Sequence, residues 1–133
     1  MTNGPGTVSV VELDGSRARW QFADADVELD LHIPIQHFLV DYVMNHIAFL
    51  CGESAEQQRF LGRPVTFFIS VHDLQGPVIC RFDEPKDVHF NCLGANRHCG
   101  LAVMATTYKS GWCDWWYGLN VDTGELVSLG EGR

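Results

Sequence analysis

Residues 23–33 alternate strictly between apolar and polar side chains, which limits the possible folds more than any other pattern in the sequence. This segment reads Ala-Asp-Ala-Asp-Val-Glu-Leu-Asp-Leu-His-Ile. Because side chains of a β-strand point alternately to opposite faces, the pattern predicts a strand with one apolar and one acidic face. The acidic face would carry four carboxylates about 7 Å apart: Asp24, Asp26, Glu28 and Asp30. Such a row of like charges increases solubility, protects a sheet edge, or meets a cationic partner.

Length and charge limit the classes of protein to which the chain can belong. With 133 residues, the chain is predicted to form a single domain over 1–133, with the Gly- and Pro-rich residues 1–6 frayed. Its 17 acidic residues outnumber its 9 lysines and arginines, which gives a formal net charge of −8. A protein that binds nucleic-acid phosphates needs a basic face. The charge balance therefore argues against a nucleic-acid partner and allows a basic protein partner.

The sequence has no feature that predicts a membrane or an export route. No apolar run approaches the roughly 20 residues that a membrane-spanning helix needs, and residues 1–16 lack the basic and apolar regions of a signal peptide. We therefore expect a cytoplasmic protein that binds no membrane. The five cysteines lack the spacing of a disulfide framework, so we interpret them as reduced thiols: Cys51, Cys80, Cys92, Cys99 and Cys113.

Strands are predicted at both ends of the chain. The turn signal Asp14-Gly15 joins a strand over 7–13 to a returning strand over 17–33, with a bulge near Ala23. The second half contains runs of β-branched and aromatic residues that are separated by polar or Gly-containing breaks. These runs predict six strands, over residues 65–72, 78–82, 88–93, 101–108, 112–121 and 125–129.

A change from period two to helical spacing predicts helices between these strands. The apolar positions that follow this spacing are Ile35, Leu39, Tyr42, Val43, His46, Ile47 and Leu50. We therefore predict a helix over 35–50 with Gly52 as its C-terminal cap, and a capping box at Ser54 predicts a shorter helix over 54–62. Two strands, two helices and six strands predict an α+β domain. Its antiparallel, curved sheet of about 6–8 strands would pack on the one long and the one short helix.

The Trp-rich strand over 112–121 is a second candidate binding surface. One face would carry Trp112, Asp114 and Trp116, and the other Cys113, Trp115 and Tyr117. Exposed tryptophan beside a carboxylate is typical of a protein-binding hot spot. Alternatively, the helix covers one face and the N-terminal hairpin covers the other. In both cases we expect Trp115 and Tyr117 in the core.

Histidines and cysteines indicate which catalytic or metal sites the chain can form. Cysteine–histidine catalysis needs a thiolate beside a base, for which Cys99 with a distant His46 or His72 is the best combination. His46 also fits a core position on the apolar helix face. Four potential metal ligands lie close in sequence: His89, Cys92, His98 and Cys99. Alternation directs His89 and Cys92 to opposite faces, so we predict no metal and no cofactor.

Two hypotheses about function follow from these features. The first is an acidic protein that binds and inhibits a basic protein, as an immunity protein occludes a basic toxin or enzyme. Its binding surface would combine the acidic row with Trp112, Asp114 and Trp116. The alternative is a small enzyme or ligand-binding protein with a His-, Tyr- and Cys-lined cavity between helix and sheet. A homo-oligomer that pairs through the Trp-rich strands is compatible with either hypothesis.

Overall fold

All regular elements of the described chain are β-strands. The structure, a computed structural model, describes residues 8–53, 67–96, 100–107 and 113–131. The strands are, in chain order, β1 (Val8–Asp14), β2 (Arg17–Phe22), β3 (Ala25–Asp30), β4 (Ile35–Asp41), β5 (His46–Cys51), β6 (Phe68–Asp73), β7 (Val78–Asp83), β8 (Val88–Asn96), β9 (Gly100–Thr107), β10 (Cys113–Asn120) and β11 (Glu125–Glu131). No helix long and apolar enough to span a membrane occurs in these ranges. The predicted α+β fold is therefore wrong, because the described chain is all-β.

The strands form three antiparallel sheets, each built from strands that are consecutive in the chain. The N-terminal sheet has the order β1-β2-β3, the middle sheet β4-β5-β6-β7, and the C-terminal sheet β11-β10-β9-β8. Short turns join β1 to β2, β2 to β3, β4 to β5, β6 to β7 and β10 to β11. Every described turn between paired strands places at least one residue at positive φ, and in the β1–β2 and β10–β11 turns that residue is a glycine, Gly15 and Gly124, with φ of +61° and +76°. Each sheet therefore forms from local pairing alone.

The middle sheet lies between the other two, so that both of its faces are buried. All six residues of β5 are buried, and they contribute alternately to two cores. Ile47, Phe49 and Cys51 pack with Trp20 and other residues of the N-terminal sheet. The intervening side chains pack with the C-terminal sheet in a second core, which includes Ala48, Leu50, Ile69, Val71, Phe90, Leu93, Val103 and Leu119. The result is a stack of three sheets with two cores.

This double burial explains why the predicted helix over 35–50 is wrong. The segment contains β4 and β5 joined by a turn over 42–45. A strand that is buried on both faces is apolar at successive positions, and its spacing then matches a helical stripe as well as a strand. Leu39 and Ile47 face opposite cores, and Val43 at the turn is 88 % exposed. The shorter helix predicted over 54–62 and the frayed residues 1–6 lie outside the described residues.

The six strands predicted for the second half are confirmed as β6 to β11. Most of their side chains face as alternation predicts, but the pairing of β8 with β9 shifts between Phe90 and Cys92. This bulge places Phe90 and Leu93 in one core, whereas Cys92 lies on the other face of the strand opposite Met104. Tyr117 packs against the same core, as predicted. Trp115 is only half-buried and donates its Nε1–H to Ser128 Oγ at 2.7 Å.

Candidate functional site

The acidic strand retains its alternating pattern over a shorter range than predicted. In β3 the Val27 side chain is buried, whereas Asp26, Glu28 and Asp30 are exposed. Asp24 is not part of the row, because a turn over Ala23 and Asp24, with φ of 51° and 64°, joins β2 to β3 in place of the predicted bulge. The strand row therefore has three carboxylates, with Asp24 exposed in the adjacent turn.

Arginines of the neighbouring strand lie between these carboxylates and those of β1. Arg19 pairs in register with Glu12 on one side and with Glu28 on the other. Arg17 pairs in the same way with Asp14 and Asp30. We call this exposed surface the acidic face, and it consists of Glu12, Asp14, Arg17, Arg19, Gln21, Asp26, Glu28 and Asp30. Each guanidinium group lies between two carboxylates, which reduces the repulsion within the row.

Short polar contacts fix several side chains of the acidic face. Asp30 accepts hydrogen bonds from Ser16 Oγ at 2.7 Å and from the His32 amide at 2.9 Å, and its ion pair with Arg17 Nε spans 3.6 Å. The Ser16 hydroxyl, followed by the His32 amide, lowers the pKa of Asp30. The hydrogen bond and charge of Glu12 raise the pKa of Arg19. These groups stay ionised over a wide pH range.

The acidic face lies on an outer layer of the stack and includes a sheet edge. Strand β3 pairs only with β2 among the described strands. A groove of about 550 Å³ runs across the face and is lined by Glu12, Arg19, Gln21, Asp26 and Glu28. Groups of a partner that enter this groove would contact carboxylates from both edges of the sheet.

The Trp-rich strand does not join this surface. Trp116 is half-buried and lies over Gly94, where an added Cβ would come within 2.7 Å of the indole ring. Asp114 is exposed on the same outer side of β10, opposite Thr106, and Trp112 lies outside the described residues. This side belongs to the C-terminal sheet, whereas the acidic face belongs to the N-terminal sheet on the far side of the middle sheet. Among the described residues, Asp114 and Trp116 therefore do not lie on one surface with the acidic face.

The candidate catalytic histidines do not converge. His46 lies on the side of β5 that faces the C-terminal sheet, whereas His72 lies on the side of β6 that faces the N-terminal sheet. His72 Nε2 lies 2.7 Å from Ser70 Oγ, and its Nδ1 lies 2.9 Å from the Gly76 carbonyl oxygen. Burial lowers the pKa of His72, so the neutral ring donates to Gly76 and accepts from Ser70. This satisfied, buried network has a structural role. Cys99 lies outside the described residues.

A buried carboxylate that the sequence did not single out joins two sheets. Glu84 accepts hydrogen bonds from the Phe67 amide at 2.8 Å and the Phe90 amide at 2.7 Å, and it pairs with His89 Nδ1 at 2.9 Å. The hydrogen bond with Glu84 raises the pKa of His89. The only sequence signal was an acidic residue before Pro85 at a strand end, which is common in exposed turns.

Metal ligation and thiol chemistry find little support in the described ranges. No group of three histidine, cysteine or acidic side chains there is arranged to hold a metal ion. His98 and Cys99 lie outside those ranges, so the absence of a metal stays a prediction. Cys51, Cys80 and Cys92 carry free thiols. Burial raises the pKa of Cys51 to about 12, which makes its thiol a poor nucleophile at neutral pH.

The chain was compared with protein-family models, with curated proteins and with solved structures. No family model, no curated protein and no solved structure matches it.

Proposed function

We propose that the protein binds a basic partner protein through the acidic face and inhibits that partner by covering its cationic site. The observation that carries this proposal is the charge of the face. Five exposed carboxylates surround two guanidinium groups, so three negative charges on the face are uncompensated. Such a surface attracts cationic groups and orients them during encounter.

The carboxylates of the acidic face lie on both edge strands of the N-terminal sheet, β1 and β3. Charge on these strands can protect the sheet edges and can also attract a cationic partner. Here Glu12 and Asp14 of β1 lie on the same face as Asp26, Glu28 and Asp30 of β3. The acidity therefore spans the whole outer face and includes its groove. A partner would contact it with several lysines or arginines at once.

The spacing of the carboxylates fits an extended or helical basic surface. Alternate residues of a strand lie about 7 Å apart, a separation that arginine side chains bridge easily. Arg17 and Arg19 are held by Asp30 and Glu12, so partner cations would meet oxygen atoms that the arginines leave free.

The enzyme hypothesis lacks comparable support, because His46 and His72 face different layers. The cytoplasmic location and a homo-oligomer through the Trp-rich strands stay predictions.

The test compares wild-type protein with a neutralised acidic face. The variant carries Asp26→Asn, Glu28→Gln and Asp30→Asn, which keep the hydrogen-bond acceptors and remove three charges. Both proteins serve as baits in lysate of the source cells, and association rates with the captured basic protein are then measured. We expect the variant to associate about tenfold or more slowly at low salt. The difference should shrink near 1 M salt, where the Debye length is about 3 Å.

A matched control separates the acidic face from the net charge of the protein. Asp83→Asn, Asp87→Asn and Glu125→Gln remove three exposed charges that lie outside the N-terminal sheet. This control should keep the wild-type association rate. Unchanged rates for the acidic-face variant would overturn the proposal. If that variant also self-associated, the carboxylates would be edge protection instead.

A further inference from the structure

A cleft between two hairpins lies apart from the acidic face. It encloses about 270 Å³ between the β4–β5 hairpin of the middle sheet and the β10–β11 hairpin of the C-terminal sheet. Its polar lining consists of Asp41, His46, Asn120 and Asp122, and its apolar lining includes Leu101 and Leu119. The cleft lies on the opposite side of the middle sheet from the acidic face. An inference about it therefore does not depend on the proposed function.

His46 provides the first sign that the cleft receives a ligand. The residue is only 8 % exposed, and no hydrogen bond joins its ring to a residue that the structure describes. Its ring nitrogens are not among the fully buried polar atoms that lack a partner, so they are accessible from the cleft that His46 lines. A molecule that enters the cleft can therefore form a hydrogen bond with this ring.

Asp41 and Asn120 each use one side-chain atom for a turn and leave the other for the cleft. Asp41 Oδ1 accepts hydrogen bonds from the Val43 amide at 3.0 Å and the Met44 amide at 3.4 Å. Asn120 Oδ1 accepts from the amides that follow it in the β10–β11 turn. Both side chains are thereby oriented before any ligand arrives, which lowers the entropy cost of binding.

Gly100 leaves room for the second oxygen of Asp41. A Cβ at this position would lie 2.9 Å from Asp41 Oδ2, closer than a carbon atom normally approaches. Gly100 also has a φ of +75°, which side-chain-bearing residues rarely adopt. The backbone of β9 therefore approaches the carboxylate closely without covering Oδ2 with a side chain.

The donor set and volume of the cleft decide the class of ligand. Two carboxylates, Asp41 and Asp122, favour a cation. A bound metal ion would need converging ligands, and the described residues contain no such group. The apolar wall suits an alkyl chain, and the volume lies just below the usual range for drug-sized ligands. We propose that this cleft binds a small organic cation, an alkylammonium or alkylguanidinium group that donates hydrogen bonds to Asp41 and packs its alkyl chain on Leu101 and Leu119.

The test titrates labelled protein with four probes of similar size and different charge. The probes are n-butylammonium, n-butylguanidinium, neutral n-butanol and anionic butyrate, followed by NMR shifts of the His46 and Asn120 signals. Saturable shifts are expected with the two cations only. A fifth probe, N-acetyl-lysine-N-methylamide, separates the sources of the cation. Tighter binding than butylammonium indicates a lysine side chain of a partner, and weaker binding indicates a free amine.

Two variants and a control make the result decisive. Asp41→Asn keeps Oδ1 for the turn and removes the charge, so we expect at least fivefold weaker binding of butylammonium. Asp122→Asn changes an exposed turn residue that also lines the cleft, and it should likewise weaken the binding of butylammonium. This second variant keeps the test valid if Asp41→Asn folds poorly. Asp83→Asn removes an exposed charge from β7 and should leave binding unchanged. Equal shifts with butanol or butyrate, or unchanged binding in both cleft variants, would overturn the inference.

Discussion

The two faces of the middle sheet bury histidines in opposite ways. On the face toward the N-terminal sheet, His72 has two hydrogen-bond partners, and Trp20 closes the layer by donating its Nε1–H to the Leu74 carbonyl at 2.8 Å. On the face toward the C-terminal sheet, His46 is nearly as buried, at 8 % exposure against 5 % for His72, and has no hydrogen bond with a described residue. The comparison separates a histidine whose ring is satisfied within the core from one whose ring nitrogens are accessible from a cleft.

The largest effect on stability should come from a substitution in the core between the middle sheet and the N-terminal sheet. Trp20 is 1 % exposed and packs against Phe49, with ring centroids 5.9 Å apart. We expect Trp20→Ala to lower the free energy of unfolding by about 3–5 kcal/mol, because it leaves a cavity between two layers. Trp116→Ala, at a half-buried outer position, should cost clearly less. Urea denaturation of both variants measures the difference, and equal losses would show that the N-terminal sheet does not close the core as described.

A smaller and more specific effect should distinguish the two histidines. His72→Phe leaves the Ser70 hydroxyl and the Gly76 carbonyl without their partner, so we expect a loss of about 1–3 kcal/mol. His46→Phe removes a ring that has no hydrogen bond to lose, so we expect a change of about 1 kcal/mol or less. Thermal and urea denaturation of the two variants measure these changes. A larger loss for His46→Phe than for His72→Phe would reverse the comparison.

The smallest effect concerns the pH dependence of stability. Burial lowers the folded-state pKa of His72 below its ordinary value of 6.5. The contribution of the neutral His72 ring to stability is therefore present above pH 6.5 and is lost as pH falls through the folded-state pKa. The bond to Glu84 raises the pKa of His89, so its contribution is present below pH 6.5 and is lost as pH rises through the folded-state pKa. The His89 effect should be the weaker one, because its side chain is 38 % exposed.

Unfolding free energies between about pH 5 and 8 check these signs. His72→Phe should remove the loss of stability on the acidic side. His89→Gln should remove the loss on the alkaline side. If both variants altered the same side, the assigned protonation states of one histidine would be wrong.

Alternation was clearest in strands that have one exposed face. In β3, Val27 points inward and Asp26 outward, so period two was visible without knowledge of the fold. In β5, Ala48 and Phe49 are both fully buried, and no alternation remains to distinguish a strand from a helix. The exposed carboxylates of β3 were predictable for the same reason. The position of Arg17 and Arg19 between the carboxylates of β1 and those of β3 was not predictable, because it depends on the register of strand pairing.

The cleft could not be predicted from the sequence either, because it depends on the packing of two sheets. Asp41 and Asn120 are distant in the chain and line the same cleft only because the β4–β5 hairpin of one sheet lies beside the β10–β11 hairpin of the other. His46 was identified as a core residue or a general base, but its lack of a partner is a property of the packed structure. Glu84 is a similar case, since the backbone amides that it accepts from belong to Phe67 and Phe90.

Residues 35–51 form two strands of the sheet that is buried on both faces. NMR spectroscopy tests this assignment directly through the contacts of backbone protons. We expect cross-strand contacts between pairs such as Phe38 with Phe49 and Ala48 with Val71, together with slow amide exchange along β5. Sequential amide–amide contacts and helical carbon shifts over 35–50, without cross-strand contacts, would contradict it.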